Sequence, residues 1–99
     1  MKTHPYAVEV RSLLTDLVAD GFKLLSITDG DEWELVSNIE QSIEIICGVD
    51  DSFLVAGKGE DLVQLYIVLG NEPGVIVCDH SLNHDLERIV KAHYDKFNE

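Results

Sequence analysis

Basic side chains are scarce in this sequence, and their scarcity limits the partners that the protein can bind. Seven Lys and Arg residues stand against 19 Asp and Glu among 99 residues, which gives a formal net charge of −12. The cations form no cluster along the chain, whereas binding to nucleic acid phosphates or to anionic lipid normally requires a basic patch. We therefore expect no direct nucleic acid binding and no membrane binding.

Cysteine and long apolar runs are scarce as well. The two cysteines, Cys47 and Cys78, lack the CxxC spacing of a zinc ribbon or a thioredoxin-type site. Both lie in apolar runs, so we expect two buried, reduced thiols that behave as small hydrophobes. No apolar run approaches the roughly 18 to 20 residues that cross a bilayer, and a cytoplasmic location is the default expectation.

Signatures of catalysis are also missing. The sequence contains no GxSxG nucleophile elbow, no HExxH metal motif and no complete phosphate-binding loop. The neighbouring residues Asp50 and Asp51 lack the spaced ligands of a calcium loop. We therefore predict a non-enzymatic protein without a cofactor, of the small type that is common in bacteria and their phages.

The apolar residues that are present follow the periods of helices and strands. Apolar residues three or four apart, as in an amphipathic helix, cover approximately residues 5–20 and 82–97. Residues 37–47 fit a helix that begins with a capping box formed by Ser37 and Glu40. The apolar residues of that segment also alternate in part as in a strand, so a strand is the alternative.

Five further runs are typical of β-strands, and glycine-containing turns separate most of them as in hairpins. In the second run Trp33 and Leu35 alternate with Glu32 and Glu34, so one face of that strand is apolar and the other is acidic. We predict one compact α+β domain over residues 1–99 with the order α-β-β-α-β-β-β-α, in which helices pack against one face of an antiparallel sheet of about five strands. The predicted strands cover approximately residues 22–28, 32–36, 52–56, 62–69 and 75–78.

Negative charge is concentrated in the middle of the chain. Ten of the 19 acidic residues lie in the 33 residues from Asp29 to Asp61, where Lys58 is the only basic residue, so this segment has a net charge of −9. Such a field attracts a basic protein partner and accelerates its encounter. The residues predicted to bind that partner are Asp29, Asp31, Glu32, Glu34, Glu40, Glu44, Asp50 and Asp51.

The first functional hypothesis is therefore an interaction protein whose carboxylates engage a basic protein surface. In its finer form the carboxylates imitate DNA phosphates, and the protein inhibits a nucleic-acid-binding partner as a DNA mimic. Acidity that serves only solubility is the competing interpretation. Dimerisation through a sheet edge is compatible with this function.

The alternative hypothesis is a small metal- or ligand-binding module in the segment from Cys78 to His84. Cys78, His80 and His84 are three potential zinc ligands, and the two histidines would share a helix face if the last helix began early. Strand-like alternation followed by a helix that begins after His80 argues against that arrangement. His93 lies on the apolar stripe of the last helix, which is typical of a packed ring with one bonded nitrogen.

Overall fold

Eight elements of secondary structure follow one another in the order expected from the sequence. The structure is a computed structural model that describes residues 6–70, 72 and 74–98, so the first residue of the helix predicted at 5–20 lies outside the described part. Within these residues the chain is a single compact α+β domain with three helices and a five-stranded antiparallel sheet. The elements are α1 (Ala7–Ala19), β1 (Lys23–Thr28), β2 (Trp33–Leu35), α2 (Ile39–Cys47), β3 (Asp51–Lys58), β4 (Asp61–Val68), β5 (Val77–His80) and α3 (His84–Phe97).

The strands lie in the order β2-β1-β3-β4-β5, and each neighbouring pair is antiparallel. Strands β3 and β4 pair along eight residues each, from Asp51 opposite Val68 to Lys58 opposite Asp61. Both are longer at this end than predicted, because the turn between them is only two residues, Gly59 and Glu60. Gly59 has a φ of +63°, a conformation that glycine adopts readily in tight hairpin turns.

Alternation along the central strands determines which face of the sheet is buried. Leu54 and Ala56 of β3 and Leu65 and Ile67 of β4 are all buried, and they belong to one continuous core together with the apolar stripes of the helices. The intervening residues of these strands point to the opposite face. The helix residues in this core are Val10, Leu13, Leu14, Leu17, Ile43, Ile46, Leu86 and Ile89.

Residues 39–47 form a helix, which confirms the helix prediction for this segment over the strand alternative. The N-cap of this helix differs from the predicted one. Asn38, not Ser37, is the N-cap, and its side-chain oxygen accepts a hydrogen bond of 2.8 Å from the backbone N–H of Gln41. The Gln41 side chain in turn accepts from the backbone N–H of Ser37. The helix therefore begins one residue later than the predicted capping box implied, because Asn38, and not Ser37, has the extended backbone of an N-cap and caps the helix with its side chain.

A cluster of ion pairs joins the end of α1, the β3–β4 hairpin and the beginning of α3. The Lys58 ammonium donates to Asp20 at 3.0 Å and to Asp85 at 2.9 Å, and Arg88 donates to Asp20 at 2.8 Å. Hydrogen bonds from Arg88 and Lys58 lower the pKa of Asp20, and hydrogen bonds from Lys58 and Arg88 lower that of Asp85. The cluster therefore links three elements that are distant in sequence.

A matched pair of leucines in β4 tests the assignment of the buried face. Leu65 is fully buried, whereas Leu62 is 71% exposed. We expect Leu65→Ala to reduce the free energy of unfolding by about 2 to 5 kcal/mol, and Leu62→Ala to change it by less than about 0.5 kcal/mol. Urea denaturation followed by circular dichroism measures both values, and equal losses would show that the two faces are wrongly assigned.

The lowered pKa of Asp20 predicts a specific pH dependence of stability. A carboxyl group whose folded-state pKa lies below its usual 3.8 stabilises the protein above that value, and the stabilisation is lost as the pH falls through the lower pKa. We therefore expect Asp20→Asn to lower Tm at neutral pH, and its difference from wild type to shrink below about pH 4. Asp50→Asn, which removes an exposed carboxylate without an ion pair among the described residues, is the control and should leave Tm nearly unchanged at both pH values.

Candidate interaction surfaces: the hairpin acids and the open sheet face

The β1–β2 hairpin gathers four of the predicted partner-binding residues. Asp29, Asp31 and Glu32 lie in its connection and Glu34 lies on β2, and all four are exposed. We call these four residues the hairpin acids. They line a single cavity of about 470 Å³ between the hairpin and the end of α2. The apolar part of its lining consists of Ile27, Trp33, Ile45 and Val49.

No hairpin acid forms an ion pair within the described part of the chain. Five of the seven basic residues pair with other carboxylates, so their charges do not compensate this region. The hairpin acids therefore present an uncompensated negative field to solvent. These five basic residues form the following ion pairs: Arg11 with Glu40, Lys58 and Arg88 with Asp20 and Asp85, Lys91 with Asp95, and Lys96 with Asp16.

The other four predicted residues do not line this cavity. Glu40 accepts two hydrogen bonds from the Arg11 guanidinium, which lower the pKa of Glu40 and neutralise its charge locally. Glu44 on α2 and Asp50 before β3 are exposed. Asp51 begins β3 and accepts a hydrogen bond of 2.8 Å from the Tyr66 hydroxyl, which raises the pKa of Tyr66.

The face of the sheet that points away from the core carries a row of side chains across all five strands. Trp33, Thr28, Phe53, Tyr66 and Asp79 are successive register partners from β2 to β5. Register partners in an antiparallel sheet point to the same face. The rings of Phe53 and Tyr66 are stacked, with their centroids 4.6 Å apart and an interplanar angle of 19°.

A second row on the same face is formed by Leu35, Ser26, Val55 and Gln64. Leu35 is 81% exposed and Trp33 is 54% exposed, so part of this apolar surface lies in water. We call the two rows, together with Leu62, the open face. The alternation of residues in β2 predicted that Trp33 and Leu35 share one face of the strand. The pattern of a single strand does not indicate which face of the sheet the helices cover.

The cysteine and histidine segment does not form the metal site of the alternative hypothesis. His80 Nδ1 lies 2.9 Å from the Ser81 carbonyl oxygen, and His84 is the first residue of α3. Among the described residues, no group of three or more His, Cys, Asp or Glu side chains could hold a metal ion. The structure thus does not assemble Cys78, His80 and His84 into a metal centre.

The expectation of two buried thiols is wrong for Cys78. Cys78 is exposed, and it lies on the edge strand β5 where the register with β4 shifts, between Val77 and Asp79. Cys47 at the end of α2 is partly buried, and this burial raises the pKa of its thiol.

His93 is a packed ring with one bonded nitrogen, as its position on the apolar stripe predicted. It is fully buried, and its Nε2 lies 2.9 Å from Oε1 of Glu9, which is also buried. The same oxygen accepts a hydrogen bond of 2.6 Å from the backbone N–H of Gly74. The pair therefore ties α1 to α3 and to the loop before β5, and it is closed to solvent.

Removal of the Glu9 carboxylate should be costly, because two buried hydrogen-bonding groups would lose their acceptor. We expect Glu9→Ala to reduce the free energy of unfolding by about 3 kcal/mol, measured by urea denaturation at neutral pH. Glu9→Gln keeps an acceptor oxygen and should reduce the free energy of unfolding by less than Glu9→Ala does. Equal losses in the two variants would show that the hydrogen bonds to this oxygen contribute little.

Comparison with known proteins identifies no relative, since no protein family, curated protein or solved structure matches this chain. None of the helices in the described part of the chain has the length and apolar composition required to span a bilayer.

Proposed function

We propose that this protein is a non-enzymatic interaction protein that binds a basic protein partner through the hairpin acids. The proposal rests mainly on one observation: four exposed carboxylates line the same cavity, and no cation of the described residues pairs with them. A surface that served only solubility would not require its charges to converge. Unpaired charge of one sign is the feature that steers a complementary partner.

The lining of the cavity supports a partner that presents Lys or Arg side chains. A long basic side chain has an aliphatic stem and a charged head. Trp33, Ile45 and Val49 would contact the stem, and the carboxylates around them would accept hydrogen bonds from the head. Hydrogen bonds between ionised partners are shorter and stronger than neutral ones.

The finer proposal is that the partner is a nucleic-acid-binding protein, and that the hairpin acids occupy its basic groove in place of DNA phosphates. It is supported by the charge of −9 between Asp29 and Asp61. A groove that neutralises phosphates with Lys and Arg would bind such a surface by the same electrostatic attraction. The protein would then inhibit its partner by competition with the nucleic acid.

Neutralisation of the hairpin acids tests the main proposal. The variant Asp29→Asn, Asp31→Asn, Glu32→Gln, Glu34→Gln removes four charges and should weaken binding to the partner by about tenfold or more. The partner is first isolated from host lysate on the wild-type protein with elution by salt. Its affinity for each purified variant is then measured by calorimetry at two salt concentrations, and higher salt should weaken the wild-type complex.

The matched control has the same net charge but a different distribution. Glu60→Gln, Asp61→Asn, Glu72→Gln and Glu87→Gln neutralise four exposed carboxylates that make no ion pair among the described residues. This variant should bind nearly as well as wild type. Equal affinity of the two quadruple variants would contradict the proposal, because net charge alone would then govern binding.

Competition with DNA distinguishes the finer proposal from the coarser one. A DNA mimic should displace duplex DNA from the isolated partner at stoichiometric concentration, which fluorescence anisotropy of labelled DNA reports. A partner that binds DNA and this protein at the same time would exclude mimicry while leaving the interaction itself intact.

A further inference from the structure

The open face offers a different chemistry from the hairpin acids, because its centre is aromatic. The stacked rings of Phe53 and Tyr66 lie on the two central strands of this face, with Asp79 of β5 as the register partner of Tyr66. Asp51 lies beyond the tyrosine hydroxyl and accepts its hydrogen bond. Tyr66 is thus flanked by two carboxylates.

Both carboxylates retain an oxygen for a ligand. Asp51 uses Oδ2 to bind the Tyr66 hydroxyl, and Asp79 uses Oδ1 to accept from the backbone N–H of His80. Neither forms an ion pair within the described part of the chain. A shallow cavity of about 290 Å³ opens beside the stack. Its lining is Phe53, Gln64, Tyr66, Asp79, His80 and Ser81.

A planar cation fits this combination of an aromatic ring and two carboxylates. A guanidinium group stacks on aromatic faces within about 6 Å and donates hydrogen bonds in the plane of the group. A nucleobase could use the same ring, but its phosphate would meet a chain with a net charge of −12. A second copy that paired through the same face would bring no cation, because the open face as defined above contains no Lys or Arg.

We infer that the open face binds an arginine-bearing segment of the basic partner, with one guanidinium on the Tyr66 ring between Asp51 and Asp79. Apolar side chains of the segment then cover the exposed Trp33 and Leu35. This inference rests on the proposed function, since it assigns a second contact surface to the same partner. The surface suits such a segment because exposed apolar patches beside complementary charge are typical of protein interfaces.

Peptide titration observed by nuclear magnetic resonance tests the inference. The probe is a short peptide of repeated Arg-Gly-Gly-Phe units, compared with the same peptide carrying citrulline, a neutral isostere of arginine. We expect the arginine peptide to shift the amide resonances of Val55, Gln64, Tyr66 and Asp79, and the citrulline peptide to bind at least about fivefold more weakly.

Substitutions of two tyrosines provide the matched control. Tyr66→Leu removes the aromatic face and should weaken binding of the arginine peptide about fivefold, whereas Tyr66→Phe keeps the ring and should retain most of the affinity. Tyr94 is an exposed tyrosine on α3, and Tyr94→Leu should have no effect. Equal affinities of the Tyr66→Leu and Tyr94→Leu variants would overturn the inference, and the retained binding of Tyr66→Phe guards against a loss caused by misfolding.

The remaining outcomes also decide between occupants. Absence of binding, or shifts confined to the hairpin acids, would overturn the inference while leaving the proposed function standing. Shifts of the open-face amides that depend on protein concentration without peptide would assign this face to a second copy. Shifts caused by a single-stranded oligonucleotide would assign it to nucleic acid. A further outcome is that the peptide binds the open face while neutralisation of the hairpin acids leaves the affinity for the partner unchanged. That result would retain the inference and reject the hairpin acids as the contact.

Discussion

Burial of one sheet face beneath three helices is the constraint on which the rest of the structure depends. Alternation along β3 and β4 places Leu54 and Leu65 in the core, and the same alternation must place Phe53 and Tyr66 on the other face. In an antiparallel sheet with one covered face, the uncovered face is normally polar. Here it carries a stacked aromatic pair and the exposed Trp33, so the geometry that builds the core also exposes an apolar surface.

The positions of the cations follow from the same arrangement. Lys58, the only basic residue between Asp29 and Asp61, points towards the helices and lies 5.6 Å from the ring centroid of Phe22. Its ammonium holds carboxylates of α1 and α3 together. The segment that has the greatest excess of acid therefore uses its one cation for folding, and the hairpin acids remain without an ion pair inside the described part of the chain.

The order and type of the elements could be predicted because each has a clear period and glycine-containing turns separate most strands. The proximity of the hairpin acids follows from their positions within residues 29–34. The cavity that they line could not be predicted, because it also requires Ile45 of α2 and Val49 after it to lie against the hairpin. Glu40 was predicted to bind a partner, yet its carboxylate pairs with Arg11, which lies 29 residues earlier in the sequence. Such pairings depend on how α1 and α2 pack, which local periodicity does not encode.

Strand β2 connects the two surfaces, because it belongs to both. Glu34 lines the cavity with the other hairpin acids, Leu35 belongs to the open face, and Trp33 belongs to the open face and also lines the cavity. A partner that reaches around this edge of the sheet would contact charge on one side and apolar surface on the other. Charge acts over a Debye length and mainly accelerates encounter, whereas desolvated apolar contacts mainly slow dissociation. In a complex of the proposed kind, the hairpin acids would thus select the partner and the open face would retain it.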